Sequence, residues 1–373
     1  MESRHPAEVR ALLAWLGGHT GIGKTTHARI AQCFFGDFSA GSALANFGGT
    51  ALSLEDAGHA YRGALMVIDD AKRVVLGPDA LRAFEGFVQR ASDRSARTRL
   101  RQDGSPVPAR PFRATALFTG EDLVLTSAAG AARLLILQVP APTGSDADLA
   151  AIGELLPGLS GATRGFVEWL VQDDGRLLDG WAAWRAARGR ALEVLASDPN
   201  RSRIAGSVAS VVAGFHLWSA WLDSLGVGVP CSVDALHAWL EGSTSRQVQA
   251  MEDLSPGTWF LEHLRAALAT GRATLHGEAG GDRCVGLVDP ERRVAYVQPE
   301  AALSVIRQHL VARDAPTHPA TAIVEDLDQL GALVERDKGG RRTKRKRIRP
   351  GEPPATTWAI SAALLMLGDD AED

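Results

Sequence analysis

Four short apolar runs punctuate the first 140 or so residues of the chain: ALLAWL, ALMVIDD, ATALFTG and RLLILQV. Between them the apolar residues take helical spacing or give way to polar loops. Strands that are apolar throughout, alternating with helices, predict an α/β domain with a mostly parallel sheet, because such strands are buried on both faces. The stretch QVPAPTGSDADL marks a boundary near residue 145. From 146 to about 255 the apolar positions recur every three or four residues, in GFVEWLVQ, LLDGWAAWRAARGRALEVLA and RIAGSVASVVAGFHLWSAWLDSL. This predicts a helical middle domain, with Trp181, Trp184, Trp218 and Trp221 in its core. From 256 to 373 the pattern is mixed. A helix SPGTWFLEHLRAAL precedes strand-like CVGLVD and RVAYVQP; helices EAALSVIRQHLVAR and TAIVEDLDQLGALVER follow, then a basic turn and a last strand TTWAIS. Helices followed by a two-strand wing predict a C-terminal winged helix.

The first strand runs into GHTGIGKTT and then an amphipathic helix. Gly18, four residues, Gly23, Lys24 and Thr25 form a phosphate-loop pattern in its required strand–loop–helix context. Backbone N–H groups of Gly18, Thr20, Gly21, Ile22, Gly23 and Thr26 would turn toward the phosphates, and Lys24 would reach the β- and γ-phosphates. The Thr25 hydroxyl would bind Mg²⁺, and the helix adds its positive end. The second strand ends in Asp69 and Asp70. Asp69 is the expected second metal ligand; Asp70 is the expected group that orients and deprotonates water. The third strand ends in Thr119, placed to touch the γ-phosphate or its water, with Glu121 and Asp122 just beyond. Together these features predict an ATP-hydrolysing, Mg²⁺-dependent site. Arg133, just before the fourth strand, fits either a surface arginine or one that enters a neighbouring subunit's site.

Composition changes this picture little. Hydrophobic residues make up 45% of 373 and the net charge is −4. No run approaches the roughly eighteen apolar residues of a membrane helix, and the first residues lack secretory features, so a cytoplasmic protein is expected. Cys33, Cys231 and Cys284 are too scattered for a disulfide framework or a zinc site. Charge distribution is more telling: nine Lys or Arg stand against one Asp between Arg336 and Arg349. His19, His27 and His216 have no metal-ligand spacing.

The stretches GHTGIGKTT, GGTALSLEDAGHAYRGALMVIDD, RLRQDGSPVPARPFRATALFTGED and SAAGAARLLILQV together resemble the superfamily 3-like helicase ATPases found behind primase domains in phage, plasmid and actinobacterial mobile-element proteins. Thr50, Leu52 and Glu55 match a helix that precedes the acidic strand in that family. The family's Ser-Thr-Gly-Glu is here Phe118, Thr119, Gly120 and Glu121, which moves the sensor role to Thr119. The resemblance implies a ring-forming homo-oligomer, a finger role for Arg133, and a DNA-directed motor. It also implies a priming domain ahead of the loop, so this chain is expected to be either a stand-alone motor with a separate primase or a truncated relic. Ring helicases of this type project a hairpin into their channel between the acidic and polar strands. Arg94, Arg97, Arg99 and Arg101 fall there and would track a single strand. Lys344, Arg345, Lys346 and Arg347 in the C-terminal wing would hold duplex or forked DNA by its phosphates. Both basic stretches also fit ordinary solvated loops. The remaining alternatives are an initiator or loader that binds DNA without unwinding it, and a regulatory ATPase that ignores DNA.

Overall fold

The computed structural model describes residues 11–38, 45–46, 50–71, 78–97, 101–105, 107–121, 123–125, 127–139, 145–195, 198, 200–229, 231–275, 283–309, 318–348, 351 and 353–365. The chain forms two compact units, Met1–Met251 and Glu252–Asp373.

The first unit holds a five-stranded parallel sheet. Its strands are β1 (Leu13–Gly17), β2 (Ala45–Asn46), β3 (Leu65–Ala71), β4 (Thr115–Gly120) and β5 (Leu135–Gln138), in spatial order β2-β3-β4-β1-β5. The four apolar runs thus become β1, β3, β4 and β5; the two-residue β2 carries no such signal. Helices α1 (Lys24–Cys33), α2 (Ala51–Ala60), α3 (Pro78–Ser92) and α4 (Ala128–Ala131) connect or flank the strands. Because β4 lies between β1 and β3, the strand that feeds the phosphate loop and the strand that ends in carboxylates both border Thr119. Burial follows the alternation of side chains along β4. Phe118 is fully buried against Trp15, Phe84 and Phe87, whereas Thr119 emerges beside Asp69. Gly120 is required there: a Cβ would stand 2.4 Å from the Trp15 ring and 2.8 Å from the Ala71 carbonyl.

Five further helices complete this unit: α5 (Asp146–Leu155), α6 (Leu159–Val171), α7 (Asp174–Val194), α8 (Arg201–Ser224) and α9 (Val233–Asp253, all but its last two residues). They fall in one compact unit with the sheet. The fully buried Gln247 of α9 shows how. Its Nε2 donates to the Ala131 and Leu134 carbonyls (3.1 and 2.6 Å), and its Oε1 accepts from Ile136 N at 3.1 Å. Length and apolar composition alone would let α8 cross a membrane, but Ile204, Ala205, Val208, Ala209 and Val212 are buried inside the unit.

The second unit contains α10 (Pro256–Ala269), α11 (Pro299–His309) and α12 (Ala320–Gln329), with β6 (Gly286–Asp289), β7 (Val294–Val297), β8 (Leu333–Glu335), β9 (Lys344–Lys346) and β10 (Ala355–Ser361). All strand pairings are antiparallel; β10 is the hub, bonded to β7, β8 and β9. This is a larger sheet than the two-strand wing expected, since the β6–β7 hairpin joins it. The helix expected over TAIVEDLDQLGALVER also ends early. Gly331 takes φ +68°, and two bonds, Gly331 N to the Asp328 carbonyl and Ala332 N to the Leu327 carbonyl, close the helix and release residues 333–335 as β8. Trp259, Phe260, Leu264, Val297, Ile323 and Trp358 anchor the core of this unit.

Candidate nucleotide site

Three pieces of chain arrive at the C-terminal edge of the parallel sheet. The first is residues 18–23, which leave β1 and enter α1 through Gly23. This residue is the N-cap of α1 in the left-handed region (φ +82°), a conformation that favours glycine, and it turns the loop back over the helix end. Lys24 Nζ donates to the Gly18 and His19 carbonyls at 2.6 and 2.8 Å, so the ammonium is held over the loop itself. Among the described residues, no carboxylate pairs with it.

The second piece is the end of β3. Ile68 pairs with Phe118 and Ala71 with Gly120, so two residues of β3, Asp69 and Asp70, face the single Thr119 of β4. This is a bulge, and Asp70 takes its strained left-handed position at φ +60°. The two adjacent carboxylates therefore do not alternate across the sheet as neighbours in a regular strand would. Asp69 Oδ1 accepts hydrogen bonds from Thr25 Oγ1 at 2.9 Å and from Thr119 Oγ1, while Thr119 Oγ1 accepts from Asp70 N at 3.1 Å. Helix α1, strand β3 and strand β4 thus meet at one carboxylate.

The third piece is the turn after β4, where Glu121 accepts a hydrogen bond from Thr20 in the phosphate loop. This link joins the loop to the polar strand. Asp122 lies outside the described residues. Thr26 is exposed on the first turn of α1.

The donor set suits Mg²⁺. A hydroxyl and a carboxylate in contact are hard oxygen ligands, and this ion is held by one or two such groups together with substrate phosphates and waters. Among the described residues no cluster of three or more His, Cys, Asp or Glu could hold a metal unaided.

Arg133 stands elsewhere. It precedes β5, at the N-terminal edge of the sheet, whereas the phosphate loop follows β1 at the C-terminal edge. Its side chain is only 10% exposed; Nη1 donates to the Ala129 carbonyl at 2.7 Å and Nη2 lies 3.6 Å from Asp93 Oδ2. It adds nothing to the nucleotide site of its own chain. Reaching a neighbour's site requires it to leave both partners.

The two basic stretches also differ from their appearance in the sequence. Arg97 lies 3.2 Å from Glu55, which is buried and also binds Arg90 at 2.7–2.8 Å. Glu55 is therefore a structural anchor on α2, whose N-cap is Thr50; Thr50 Oγ1 accepts from Ser53 N. Arg101 closes a tight turn with Ser105, Arg94 is exposed with φ +49°, and Arg99 lies outside the described residues. In the C-terminal unit, Lys344 Nζ donates to Glu335 at 2.7 Å, Arg345 donates to the Pro354 carbonyl at 3.0 Å, and Lys346 sits 4.1 Å over the Tyr296 ring. Arg342 and Arg336 both bind Asp328 at 2.6–2.7 Å. Arg345 and Arg347 remain exposed. Hydrogen bonds from Arg342 hold the Asp328 carboxyl below the usual range, and Lys344 does the same for Glu335.

Comparison with solved structures finds the same fold in SCCmec type IV Cch, described as an active helicase. The TM-score is 0.65 at 12% sequence identity, covering 96% of this chain and 63% of that one. The chain thus has a helicase-like α/β fold and spans a little under two thirds of that neighbour's length. No protein-family model matches the chain, and no curated protein matches its sequence.

Proposed function

We propose that this protein is an ATP-hydrolysing DNA motor, a cytoplasmic replicative helicase of a mobile genetic element acting as a homo-oligomeric ring on single-stranded or forked DNA. The observation that carries the reading is the meeting of Thr25, Asp69 and Thr119 at one carboxylate oxygen beside the phosphate loop. In this reading Lys24 moves from the Gly18 and His19 carbonyls onto the β- and γ-phosphates, and the loop N–H groups cradle the same oxygens. Thr25 and Asp69 hold Mg²⁺, which when bound neutralises developing phosphate charge. Thr119 fixes Asp69 and the peptide of Asp70. Asp70, held out of line by the bulge, orients the attacking water and takes its proton. Glu121 couples that edge to the loop through Thr20. In the second unit three helices and the strands β8–β10 serve as a winged-helix-like DNA-binding element, with Arg345 and Arg347 bound to phosphates.

The test is Mg²⁺-dependent ATP hydrolysis with and without single-stranded DNA, followed by displacement of a labelled strand from a fork. Stimulation and displacement are expected; hydrolysis indifferent to every DNA structure would overturn the motor. One observation favours a second reading, an ATPase that binds DNA weakly or serves as a loader. The cations of the C-terminal strand are largely held by Asp328, Glu335 and Tyr296. Hydrolysis without displacement would select it.

A further inference from the structure

Strands β3 and β4, which end in Asp69, Asp70 and Thr119, both begin at a corner made of arginines. Arg62 lies three residues before β3 and Arg113 two residues before β4, at the N-terminal edge of the sheet. At about 3.3 Å per residue the corner stands roughly 20 Å from the nucleotide site. Backbone bonds lock it. Gly63 N donates to the Arg113 carbonyl at 2.9 Å and Ala64 N to the Tyr61 carbonyl at 2.8 Å, while Arg113 N and Ala114 N both donate to the Gly58 carbonyl at 3.1 Å. Phe112, 2% exposed, packs so close to α2 that a Cβ on Gly58 would stand 2.0 Å from its ring.

Within this rigid frame Arg62 takes φ +25°. A long side chain rarely adopts such a backbone, and strain of this kind persists where the surroundings impose it and gathers at functional sites. Both arginines are exposed, and among the described residues neither guanidinium has a hydrogen bond or ion pair. The corner thus differs from the basic run of the C-terminal unit, where Arg336, Arg342 and Lys344 are paired with acids. Beside it sits an aromatic pair. The Phe38 and Tyr61 rings stack with centroids 6.4 Å apart and planes 11° apart, and both are half-buried. Asp37 and Asp56, the acids that precede these rings in sequence, are engaged: Asp56 lies 3.7 Å from Arg110, and Asp37 has a partner of its own.

We infer that this corner is a binding face for single-stranded DNA, with Arg62 and Arg113 taking backbone phosphates and an unpaired base stacking on the Phe38–Tyr61 pair. Guanidinium groups match phosphate oxygens in geometry and charge. Cations set beside aromatic rings are the combination that holds a single strand without reading its sequence, and a duplex keeps its base faces out of reach. The inference rests on the DNA-directed reading above and gives it a surface outside both basic stretches of the sequence. A strand bound there sits at the roots of β3 and β4, the strands that also position Asp69, Asp70 and Thr119.

The test is fluorescence anisotropy of a labelled oligothymidylate with the full chain, without nucleotide, across a salt series. Arg62→Ala with Arg113→Ala should weaken binding at least about fivefold at moderate salt. It should also lower the slope of log affinity against log salt by about 0.7 for each phosphate released, or about 1.4 in all. Tyr61→Leu should weaken binding by about fivefold or more with that slope unchanged, and should erase the preference for oligothymidylate over an abasic strand of equal length. Should the double variant lose its native near-ultraviolet circular dichroism, Arg62→Gly takes its place: glycine accepts the φ +25° backbone, so the melting temperature should hold or rise while affinity falls. Affinity and slope unchanged in the folded arginine variants, or an abasic strand bound equally well by the parent chain, would overturn the inference. If Arg345→Ala with Arg347→Ala then carried the whole loss, the DNA-directed reading would stand without this face; a parent chain that bound no oligonucleotide would overturn both. The measurement needs no turnover, so a chain that hydrolyses no ATP still decides it.

Discussion

The two regions richest in charged or polar chemistry, the C-terminal edge of the parallel sheet and the basic strand β9, use their side chains in opposite ways. At the sheet edge one cation, Lys24, is held among the described residues by backbone carbonyls alone, which a phosphate can displace. Around β9, nine Lys or Arg lie within fourteen residues of sequence, yet Arg336, Arg342 and Lys344 are committed to carboxylates and Lys346 to a ring. The acids come from α12 and β8. A basic run is thus a poor measure of positive charge on offer. What matters is which partners the fold supplies, and under the proposed function the region with fewer cations is the one that receives phosphate.

The sharpest way to break this comparison is Lys24→Ala. It should leave folding intact and reduce ATP turnover by about 10³-fold or more, as expected when a principal stabiliser of phosphoryl charge is removed. Residual turnover near that of the unmodified protein would mean the loop does not serve the phosphates. Thr119→Ala should cost less, about 10²-fold in kcat, because it leaves Asp69 in place but removes the hydroxyl that fixes it and the Asp70 peptide. An effect on KM alone would make Thr119 a binding residue and would separate it from the bulge.

How much of this was legible in the sequence differs between the regions for a physical reason. Strands of a parallel sheet are apolar runs, and a phosphate loop needs glycines and a lysine at fixed offsets. The order of β1, β3, β4 and β5 and the positions of Lys24, Thr25, Asp69, Asp70 and Thr119 could therefore be read from local pattern. The bulge could not: two acids followed fifty residues later by a threonine look the same in any register, and only the pairing of Ala71 with Gly120 reveals it. Gln247 gave no signal because its three partners lie more than a hundred residues away. The pairing of Arg342 with Asp328 and of Arg97 with Glu55, and the burial of Arg133, are likewise tertiary facts. Local pattern shows where charges are in the chain; it does not show which of them the fold has already used.

DNA binding refines the comparison at smaller amplitude. Within the run Lys344–Arg347, Arg345 and Arg347 are the exposed members, so replacing both with Ala should weaken DNA binding several-fold at moderate salt. It should also lower the slope of log affinity against log salt by about one for each phosphate no longer neutralised. Lys344→Ala should change that slope little, since its ammonium already belongs to Glu335. Equal slopes for the two variants would show that the ion pairs open on binding and that the whole run is available after all.

The smallest effect expected is on stability, and its sign follows from the same pairs. Bonds from Arg342 lower the Asp328 carboxyl from its usual 3.8, and the bond from Lys344 lowers Glu335 from its usual 4.5. A carboxyl whose folded value is depressed contributes stability that is present above its unfolded value and is lost as pH falls through the folded one. Melting of the full chain should therefore be flat with respect to these groups from neutrality down to about pH 5 and should then decline as the pairs are protonated. Both carboxyls remain within reach of solvent, so the contribution is modest and shrinks with added salt. Asp328→Asn should lower the melting temperature slightly at pH 7 and make the decline below pH 5 shallower, the two curves converging in acid. If the variant instead followed the parent curve at every pH, Arg336 and Arg342 would not be held by Asp328 in solution, and the basic strand would stand as open to phosphate as its sequence suggests.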